Sequence, residues 1–548
     1  MNRREFLLRT FGVTSLVLIP NWLKASSRWT LNNLKNAEFH LIAPLQFLNH
    51  YKGSTEIEGD VPDDAHEIFW NRDGYLFKKG GIPKVSEQYD VIVVGGGMAG
   101  LSSAYYLTGK KVLIIDGNPR FGGNSRSQAW GNNYVSQGAA YITLPEDGDE
   151  IDSYLGSLGL NKSFRYVNDE DEPVLFRGKL MKGFWKGATD PARAAEFVHF
   201  KEVMLDINEN HYPELPCWDD SFETRKLVND LDRFNFLYWL NWKFPNLHPH
   251  ILEWLQMYCW ASFGTEIDEV SAAQGLNFVA CDLAGIKVLP GGNGLITHAT
   301  FESLRKRAGV RLEANSFCVD IRAEGGKSVV CYKTSTGELK TVTARHCIVA
   351  APKFVSKKII STLSQDQFRA MNALTYRAYL VGNIILKNRI NSYGYDTFNL
   401  SGISASRSLD HSNKRVYADV VSADWAMGDR GTKSALTLYM PLPYDMAQQY
   451  LFVPGFYEKY QQRAYTAIEP FMKQMGLSQN DIEGMRLVRF GHALPVAAVN
   501  GIASGTFEKA SASIDGCIHF ANQDNWGNPA FETSFGCALQ VVEKVLNS

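Results

Sequence analysis

The chain has 548 residues and a formal net charge of −2, with 45% hydrophobic and 21% charged residues. This length is too great for one core and predicts two or more domains, and the near-neutral charge without a basic run argues against a nucleic-acid partner. The eight cysteines show no CxxC pair and no Cys/His spacing, so we expect no metal site. Disulfides stay an open alternative if the protein is exported.

Residues 1–27 have the order of an export signal, with basic residues, an apolar stretch and a polar exit. The Arg3-Arg4 pair is similar to a twin-arginine signal, and the apolar stretch 11–19 is too short to span a bilayer. We expect a periplasmic protein that is a partner of the twin-arginine export machinery. Residues 23–25 form a poor cleavage site, so an uncleaved membrane anchor is an alternative, and an ordinary amphipathic start is another.

After a polar lead-in over residues 28–85, the stretch VIVVGGGMAGL stops a β-branched run at three glycines. The run Val91–Val94 predicts a parallel strand that is buried on both faces, followed by a helix. Residues 111–116 repeat this strand pattern and end at Asp116. The order of strand, glycine turn, helix and strand is typical of a dinucleotide-binding unit.

The rest of the chain alternates between helical and strand patterns. Residues 150–285 favour helices and contain a dense aromatic tract, residues 310–350 alternate as antiparallel strands do, and HCIVAAP predicts a buried strand. Residues 376–500 mix strands and helices, and residues 517–548 predict a strand, a loop and a C-terminal helix. The tryptophans of the aromatic tract either pack in a helical core, which we favour, or line a substrate tunnel: Trp239, Trp242, Trp254 and Trp260.

The glycine motif gives each residue a physical task. Gly95 permits a tight turn, Gly97 lets the backbone approach a pyrophosphate, and Gly100 lets the helix pack on the strand. The helix start at Met98 and Ala99 offers unpaired N–H groups to phosphate oxygens. Asp116 can accept hydrogen bonds from a ribose diol. We predict that these six residues bind the cofactor: Gly95, Gly97, Met98, Ala99, Gly100 and Asp116.

Most of residues 85–548 resemble the flavin-containing amine oxidase family. The segments that carry this resemblance are DGNPRFGGNSRS, VSQGAAYI, VAAPKFVSKKI and IHFANQDNWGNPAFETSFGCAL. Within the family, CWASFGTEIDEVSAAQGL, PGGNGLITH and RFGHALP are most similar to spermidine-dehydrogenase-like proteins. The resemblance implies FAD as cofactor and an α/β fold, in which a discontinuous Rossmann-like FAD-binding domain is joined to an α+β substrate-binding domain.

The resemblance also implies further cofactor contacts, in the second glycine pair and in the C-terminal segment. These residues are Arg120, Gly122, Gly123, Asn124, Asp524 and Phe531. Asn124 stands where the family has arginine, the acid Asp524 comes one position late, and the aromatic-cage tyrosine of monoamine oxidases falls near Ala530. These departures argue against simple monoamine oxidation.

We expect the domains to alternate along the chain. Residues 1–27 form the signal or anchor and 28–85 the lead-in, and the other segments are assigned as follows. The FAD-binding domain takes residues 86–150, 286–355 and 511–548, and the substrate domain takes 151–285 and 356–510.

Three residues are candidates for catalysis. The resemblance places Lys358 at the family's flavin-facing lysine, which holds a water near flavin N5, although a shift of one residue would exchange it with Lys357. His492 could contact substrate or flavin, but a lone histidine is more often structural. Tyr141, at the tyrosine of the family's Gly-Gly-x-Tyr segment, either walls the substrate cavity or packs in the core.

The function implied is oxidation of an amine, with a polyamine as one candidate, by hydride transfer from the carbon next to nitrogen to flavin N5. The electron acceptor is oxygen or a periplasmic carrier, and a homo-oligomer is left open. One alternative is an isoprenoid or carotenoid desaturase-like flavoenzyme, and another is a flavin-binding partner protein without catalysis.

Overall fold

The computed structural model describes residues 58–60, 63–130, 133–167, 172–217, 221–400, 416–430 and 433–548. The predicted export signal and most of the lead-in lie outside these residues. In the part that is described, no helix has the length and apolar character needed to cross a membrane.

The strands are named in chain order. They are β1 (Glu58–Gly59), β2 (Val85–Val94), β3 (Val112–Ile115), β4 (Ser127–Trp130), β5 (Asn133–Ser136), β6 (Tyr141–Thr143), β7 (Arg165–Val167), β8 (Val174–Phe176), β9 (Lys179–Met181), β10 (Ile286–Val288), β11 (Val310–Glu313), β12 (Phe317–Glu324), β13 (Lys327–Lys333), β14 (Leu339–Val349), β15 (Tyr376–Leu386), β16 (Asp396–Leu400), β17 (Asp419–Ser422), β18 (Ala435–Leu442), β19 (Ile482–Pro495) and β20 (Ile518–Phe520).

The α-helices are named in the same way. They are α1 (Asp63–Trp70), α2 (Arg72–Lys78), α3 (Met98–Tyr106), α4 (Glu150–Ser157), α5 (Ala194–Asn210), α6 (Phe222–Asp232), α7 (Phe236–Lys243), α8 (Pro249–Phe263), α9 (Ala272–Ala284), α10 (Gly294–Arg305), α11 (Lys353–Ile359), α12 (Gln365–Ala373), α13 (Phe456–Gln474), α14 (Thr506–Ala510) and α15 (Phe531–Leu546).

One sheet contains the predicted dinucleotide-binding unit. In the described residues, β11, β3, β2 and β14 are parallel neighbours in that order, β20 also pairs with β14, and β13 and β12 extend the sheet antiparallel. Residues 91–94 of β2 are buried because helices α3 and α15 cover one face and a second apolar cluster covers the other. The continuous apolar run in the sequence reflects this burial on both faces. The sheet takes its strands from three separated parts of the chain.

The structure contains a second large sheet. In the described residues its eight strands follow the order β1, β19, β15, β18, β17, β16, β8 and β9. Successive side chains of a strand point to opposite faces, so each strand contributes to two environments. Leu380 and Leu438 pack with helix α13 in an apolar cluster on the outer face, whereas Tyr379, Val381 and Tyr439 line a cavity on the inner face.

The aromatic tract packs mainly in a helical core formed by α5, α7, α8 and α9. Trp254 and Trp260 are buried there, and Trp239 packs against the same cluster. Trp242 is instead 69% exposed. None of the four lines the cavity, so none of them forms part of a substrate tunnel. Three of them pack in the helical core, as the favoured interpretation predicted, and Trp242 does not.

All eight cysteines lie in the described residues, and each is buried without forming a disulfide. Burial raises the pKa of several of these thiols, as at Cys259 and Cys347. They are therefore apolar core residues, and the alternative of disulfides is wrong for this structure.

Candidate functional site

A cavity of about 1650 Å³ lies between the carboxyl ends of β2 and β3 and the inner face of the eight-stranded sheet. Ligands of open α/β sheets bind at the carboxyl ends of the parallel strands. Pockets for single small ligands measure roughly 300–1,000 Å³. The cavity therefore has room for a large cofactor together with a substrate.

The glycine motif forms one end of this cavity. Gly95 has a φ of +111°, and a Cβ atom there would lie 2.9 Å from the carbonyl carbon of Ala350. A Cβ atom on Gly100 would lie 1.9 Å from the carbonyl oxygen of Gly95, so α3 packs directly on the turn. At Gly97 the nearest atom to such a Cβ is the Cα of Gly123, at 3.7 Å. The chain itself thus leaves space at Gly97, which a phosphate group can use.

The second glycine pair lies against the first motif. Gly122 donates its N–H to the carbonyl of Gly96 at 2.7 Å and forms a β-bridge with Gly97. A Cβ atom on Gly123 would lie 3.0 Å from the Cα of Gly97. The two loops therefore meet backbone to backbone, as a clamp around a pyrophosphate requires. Residues Met98, Ala99 and Asn124 border the cavity beside them.

Asp116 is hydrogen-bonded to the glycine turn and borders the cavity. Its Oδ2 accepts the N–H of Gly96 at 2.6 Å, and its Oδ1 accepts the N–H of Asn118 at 2.7 Å. Burial raises the pKa of Asp116, and the two N–H donors oppose this shift. Because a carboxylate can accept about four hydrogen bonds, Asp116 can still receive the hydroxyls of a ribose.

Arg120 is the predicted cofactor residue that the structure directs away from the cavity. Its guanidinium donates to Glu58 at 2.7 Å and to Gln137 at 3.1 Å, and Arg120 does not line the wall. The physical reason is the partly buried carboxylate of Glu58, which β1 places beside it. Sequence analysis could not foresee this ion pair because the partners are 62 residues apart.

Asp524 belongs to a buried network next to the cavity. Its Oδ2 accepts the backbone N–H of Lys353 at 2.7 Å and the hydroxyl of Tyr376 at 2.6 Å. The Lys353 ammonium is fully buried and donates to Asn525 at 2.6 Å and to Asn522 at 3.3 Å. Burial lowers the pKa of Lys353 to about 8, while the charge of Asp524 opposes this shift. Sequence analysis found Asp524 and Phe531, which both line the cavity, but it missed Lys353 and Tyr376.

Tyr141 lies in the cavity wall and donates its hydroxyl to Oδ2 of Asp282 at 2.8 Å. Tyr258 donates to the same oxygen at 2.6 Å. Burial, together with the charge of Asp282, raises the pKa of Tyr141 well above its ordinary value. Tyr141 therefore stays protonated at neutral pH and can position a ligand but not act as a base.

His492 also borders the cavity, where its ring stacks on Phe354 with a centroid distance of 4.3 Å. Burial, with smaller effects from the charges of His66 and Lys357, lowers the pKa of His492 to about 4. The imidazole is therefore neutral at neutral pH and can accept a hydrogen bond. Its predicted catalytic role stays a prediction.

Lys358 and Lys357 follow each other on α11, and both border the cavity. Lys358 is exposed, whereas Lys357 is half-buried and donates to Asn372 at 2.8 Å. The assignment of Lys358 as the flavin-facing residue stays a prediction.

We expect Lys358→Met to slow flavin reduction, reoxidation or both, while the FAD content stays near that of the wild type. Methionine keeps much of the stem but removes the ammonium that would hold a water at the flavin. Stopped-flow measurement of each half-reaction checks this, with Lys357→Met in parallel. If Lys357→Met slows a half-reaction and Lys358→Met does not, Lys357 is the flavin-facing lysine and the assignment is wrong by one residue.

The inner face of the eight-stranded sheet places two carboxyl groups in the cavity. Asp396 on β16 and Asp419 on β17 lie diagonally across a strand pair and share a hydrogen bond, which requires one of the two carboxyl groups to carry a proton. Asp419 is 3% exposed, and its Oδ1 has no hydrogen-bond partner among the described residues. Burial raises the pKa of Asp419, and the hydrogen bond with Asp396 opposes this shift. Sequence analysis missed both residues, although an acid within an apolar strand was an available signal.

The tyrosines around this pair donate their hydroxyl protons elsewhere. Tyr379 donates to the carbonyl of Ala261 at 2.9 Å, and Tyr439 donates to the carbonyl of Gly138 at 2.7 Å. We call Asp282, Asp396 and Asp419 with their neighbouring tyrosines the acidic end of the cavity. In the described wall no arginine borders the cavity, and its lysines are Lys357 and Lys358. The acidic end therefore offers hydrogen-bond acceptors to a ligand, and a cationic ligand would favour the ionised form of Asp419.

The lead-in also reaches the cavity. Asp60, Ala65, His66, Phe69 and Trp70 line it. Sequence analysis assigned these residues no function, because a polar segment without periodicity gives no indication of where it packs. No group of three or more His, Cys, Asp or Glu residues in the described ranges is placed to hold a metal ion.

The family model of flavin-containing amine oxidoreductases matches residues 98–449, and the chain belongs to this family. The protein is thus an FAD-dependent oxidoreductase, and the predicted cofactor and fold class are confirmed. The glycine cradle fits the cofactor, because it leaves space at Gly97 that the chain does not fill.

The relatives are oxidoreductases. Oxidoreductase PigB from Serratia sp. is 23% identical over 523 residues, which cover 84% of this chain and 75% of PigB. An L-amino-acid oxidase from Sistrurus catenatus edwardsii is 22% identical over 315 residues, which cover 55% of this chain and 58% of the relative. The resemblance to spermidine-dehydrogenase-like proteins stays a prediction.

Solved structures share the fold. A putrescine oxidase superposes with a TM-score of 0.63 at 15% identity and covers 84% of this chain and 99% of its own. Cyclohexylamine oxidase from Brevibacterium oxydans superposes with a TM-score of 0.59 at 13% identity, and the shares are 84% and 100%.

Proposed function

We propose that this protein is a periplasmic FAD-dependent enzyme that oxidises an amine carrying a second cationic nitrogen, as polyamines do. The bound FAD supplies the acceptor for the hydride that leaves the carbon next to the reacting nitrogen. The two glycine loops and Asp116 hold the cofactor, and the acidic end of the cavity binds the substrate.

The observation that carries this proposal is the unpartnered carboxylate oxygen of Asp419 in the acidic end. A buried acceptor without a donor costs free energy, and a substrate ammonium group would remove that cost by donating hydrogen bonds. The nearby hydroxyls of Tyr379 and Tyr439 do not satisfy it, since they donate to backbone carbonyls.

The other cavity residues fit an amine substrate. Oxidation at carbon requires the reacting nitrogen in its neutral form, and the neutral imidazole of His492 can accept a hydrogen bond from it. Tyr141 remains protonated and fixes Asp282, so this carboxylate keeps its position when the substrate enters. Buried aromatic side chains in the wall, among them Tyr379, Phe398 and Phe490, favour exclusion of water from the reacting carbon.

The acidic end argues against the desaturase alternative. An apolar polyene would cover Asp419 with hydrocarbon and leave its Oδ1 without a donor, at a cost of roughly 1–3 kcal/mol. Membership of an oxidoreductase family argues against the partner protein without catalysis.

The test is anaerobic mixing of the holoenzyme with amines while flavin absorbance is recorded. We expect a linear diamine to half-saturate flavin reduction at a concentration at least about tenfold lower than a monoamine of equal chain length, since one ion pair in a buried site contributes about 1.4 kcal/mol or more. Asp419→Asn should remove most of this difference. If no amine bleaches the flavin and a polyene does, the desaturase alternative replaces the proposal.

Export is a separate part of the proposal. Replacing Arg3-Arg4 with Lys-Lys should hold the protein in the cytoplasm, because the receptor reads the planar guanidinium groups and lysine lacks them. Fractionation followed by immunoblotting checks this. Equal periplasmic amounts of wild type and variant would show that the pair is not a twin-arginine signal.

A further inference from the structure

The lead-in segment crosses the cavity between the two large sheets. We call β1, α1 and α2, residues 58–79 without the undescribed 61–62, the strap. We propose that the strap retains FAD in its cavity, with Glu58 as the latch that keeps it closed.

The first end of the strap is bound to the eight-stranded sheet. Strand β1 pairs parallel with β19, and the N–H of Asp60 donates to the carbonyl of Arg489 at 2.9 Å. The carboxylate of Asp60 accepts the N–H of Gly491 at 2.8 Å. These bonds fix the backbone next to β19 and leave the rest of the strap to cross the cavity.

Glu58 adds a bridge between two parts of the cavity wall. Its Oε2 accepts from Arg120 at 2.7 Å, and its Oε1 accepts from Arg486 at 2.9 Å. Arg120 belongs to the second glycine loop, and Arg486 belongs to β19. The side chain of Glu58 is 14% exposed and that of Arg486 is 2% exposed, so little water screens the bridge. One carboxylate thus joins the strap, the sheet and the cofactor cradle.

The second end of the strap is bound to the FAD-binding sheet. Phe69 packs on Phe317 with a ring-centroid distance of 5.1 Å, and Ile68 and Tyr75 are buried against Val319 of β12. Arg72 pairs with Asp320 on the same strand at 3.4 Å. The second end is therefore held by apolar packing together with the ion pair between Arg72 and Asp320.

The middle of the strap forms cavity wall. Ala65, His66, Phe69 and Trp70 line the space between the two anchored ends. His66 lies close enough to His492 for its charge to lower the pKa of that imidazole. The strap thus forms part of the wall of the cavity that FAD would occupy, and the proposal is that FAD leaves only when this part of the wall moves.

Loss of a latch and loss of a direct contact with FAD change the rates of FAD association and dissociation differently. If FAD passes only when the strap is open, loosening the latch raises the association and the dissociation rates together, because both depend on the population of the open state. Loss of a direct contact with FAD would instead raise dissociation alone.

The experiment measures both FAD rates with the full-length protein, by flavin fluorescence on dilution of holoenzyme and on mixing of apoprotein with FAD. We expect Glu58→Gln to raise each rate about tenfold or more, because the neutral amide cannot bridge two guanidinium groups. Glu67→Gln, an exposed carboxylate on the same strap, is the matched control and should change neither rate.

A second measurement does not depend on how the variants fold. Hydrogen exchange in wild-type protein should be slower in residues 63–79 when FAD is bound than in the apoprotein. Two results would overturn the proposal: an increase in dissociation alone for Glu58→Gln, or exchange in residues 63–79 that is the same with and without FAD. Unchanged rates for Glu58→Gln would likewise refute the latch.

Discussion

Replacing Gly97 with valine should give a folded protein that purifies with less FAD than the wild type, because we expect a loss of roughly 100-fold in affinity, about 2.7 kcal/mol. Gly97 has a φ of −77° and a ψ of −169°, an extended conformation that valine adopts readily. Its Cβ would meet only Gly123, at an ordinary distance of 3.7 Å. The Cβ atom would therefore fit without straining the chain, and the added side chain would occupy cofactor space.

The flavin absorbance per protein and the melting temperature of the apoprotein check this expectation together. Gly100→Val is the informative contrast, since its Cβ would collide with the carbonyl oxygen of Gly95 and should destabilise the apoprotein as well. A Gly97→Val protein that purifies with one FAD per chain would show that the pyrophosphate does not approach this glycine.

Replacing Lys353 with methionine should lower the free energy of unfolding of the apoprotein by about 1–3 kcal/mol, the range for leaving buried polar groups without their hydrogen-bond partner. Lys353 is fully buried and Asp524 is 1% exposed. Methionine keeps the stem volume but removes the positive charge that counteracts the effect of burial on the pKa of Asp524. It also removes the hydrogen-bond donor for Asn522 and Asn525. The carboxyl group and the two amide oxygens would remain buried without that cation.

Denaturant unfolding of the wild type, the two single variants and the double variant Lys353→Met/Asp524→Asn measures the coupling between the pair. We expect the double variant to recover at least about 1 kcal/mol relative to the sum of the single changes. Lys509→Met, an exposed lysine on α14, should remain within about 0.5 kcal/mol of the wild type. An equally small effect of Lys353→Met would mean that the network does not contribute to stability.

The sequence by itself determined the cofactor end of the cavity. The turn at Gly95, the space at Gly97 and the packing at Gly100 follow from backbone geometry within six residues, and Asp116 ends the next strand only 16 residues after Gly100. Such constraints are local, because they depend on φ, on the volume of a Cβ atom and on hydrogen bonds between neighbouring elements. The same glycine pattern is therefore expected wherever this unit of strand, turn and helix occurs.

Only the tertiary structure decided the substrate end and the strap. Asp282 comes from a helix, Asp396 and Asp419 come from two strands, and they meet because the sheet turns alternate residues of each strand into one cavity. The pairing of Glu58 with Arg486 joins residues 428 positions apart. No local pattern specifies such contacts, because their free energy comes from the burial and charge of groups that only the folded chain brings together.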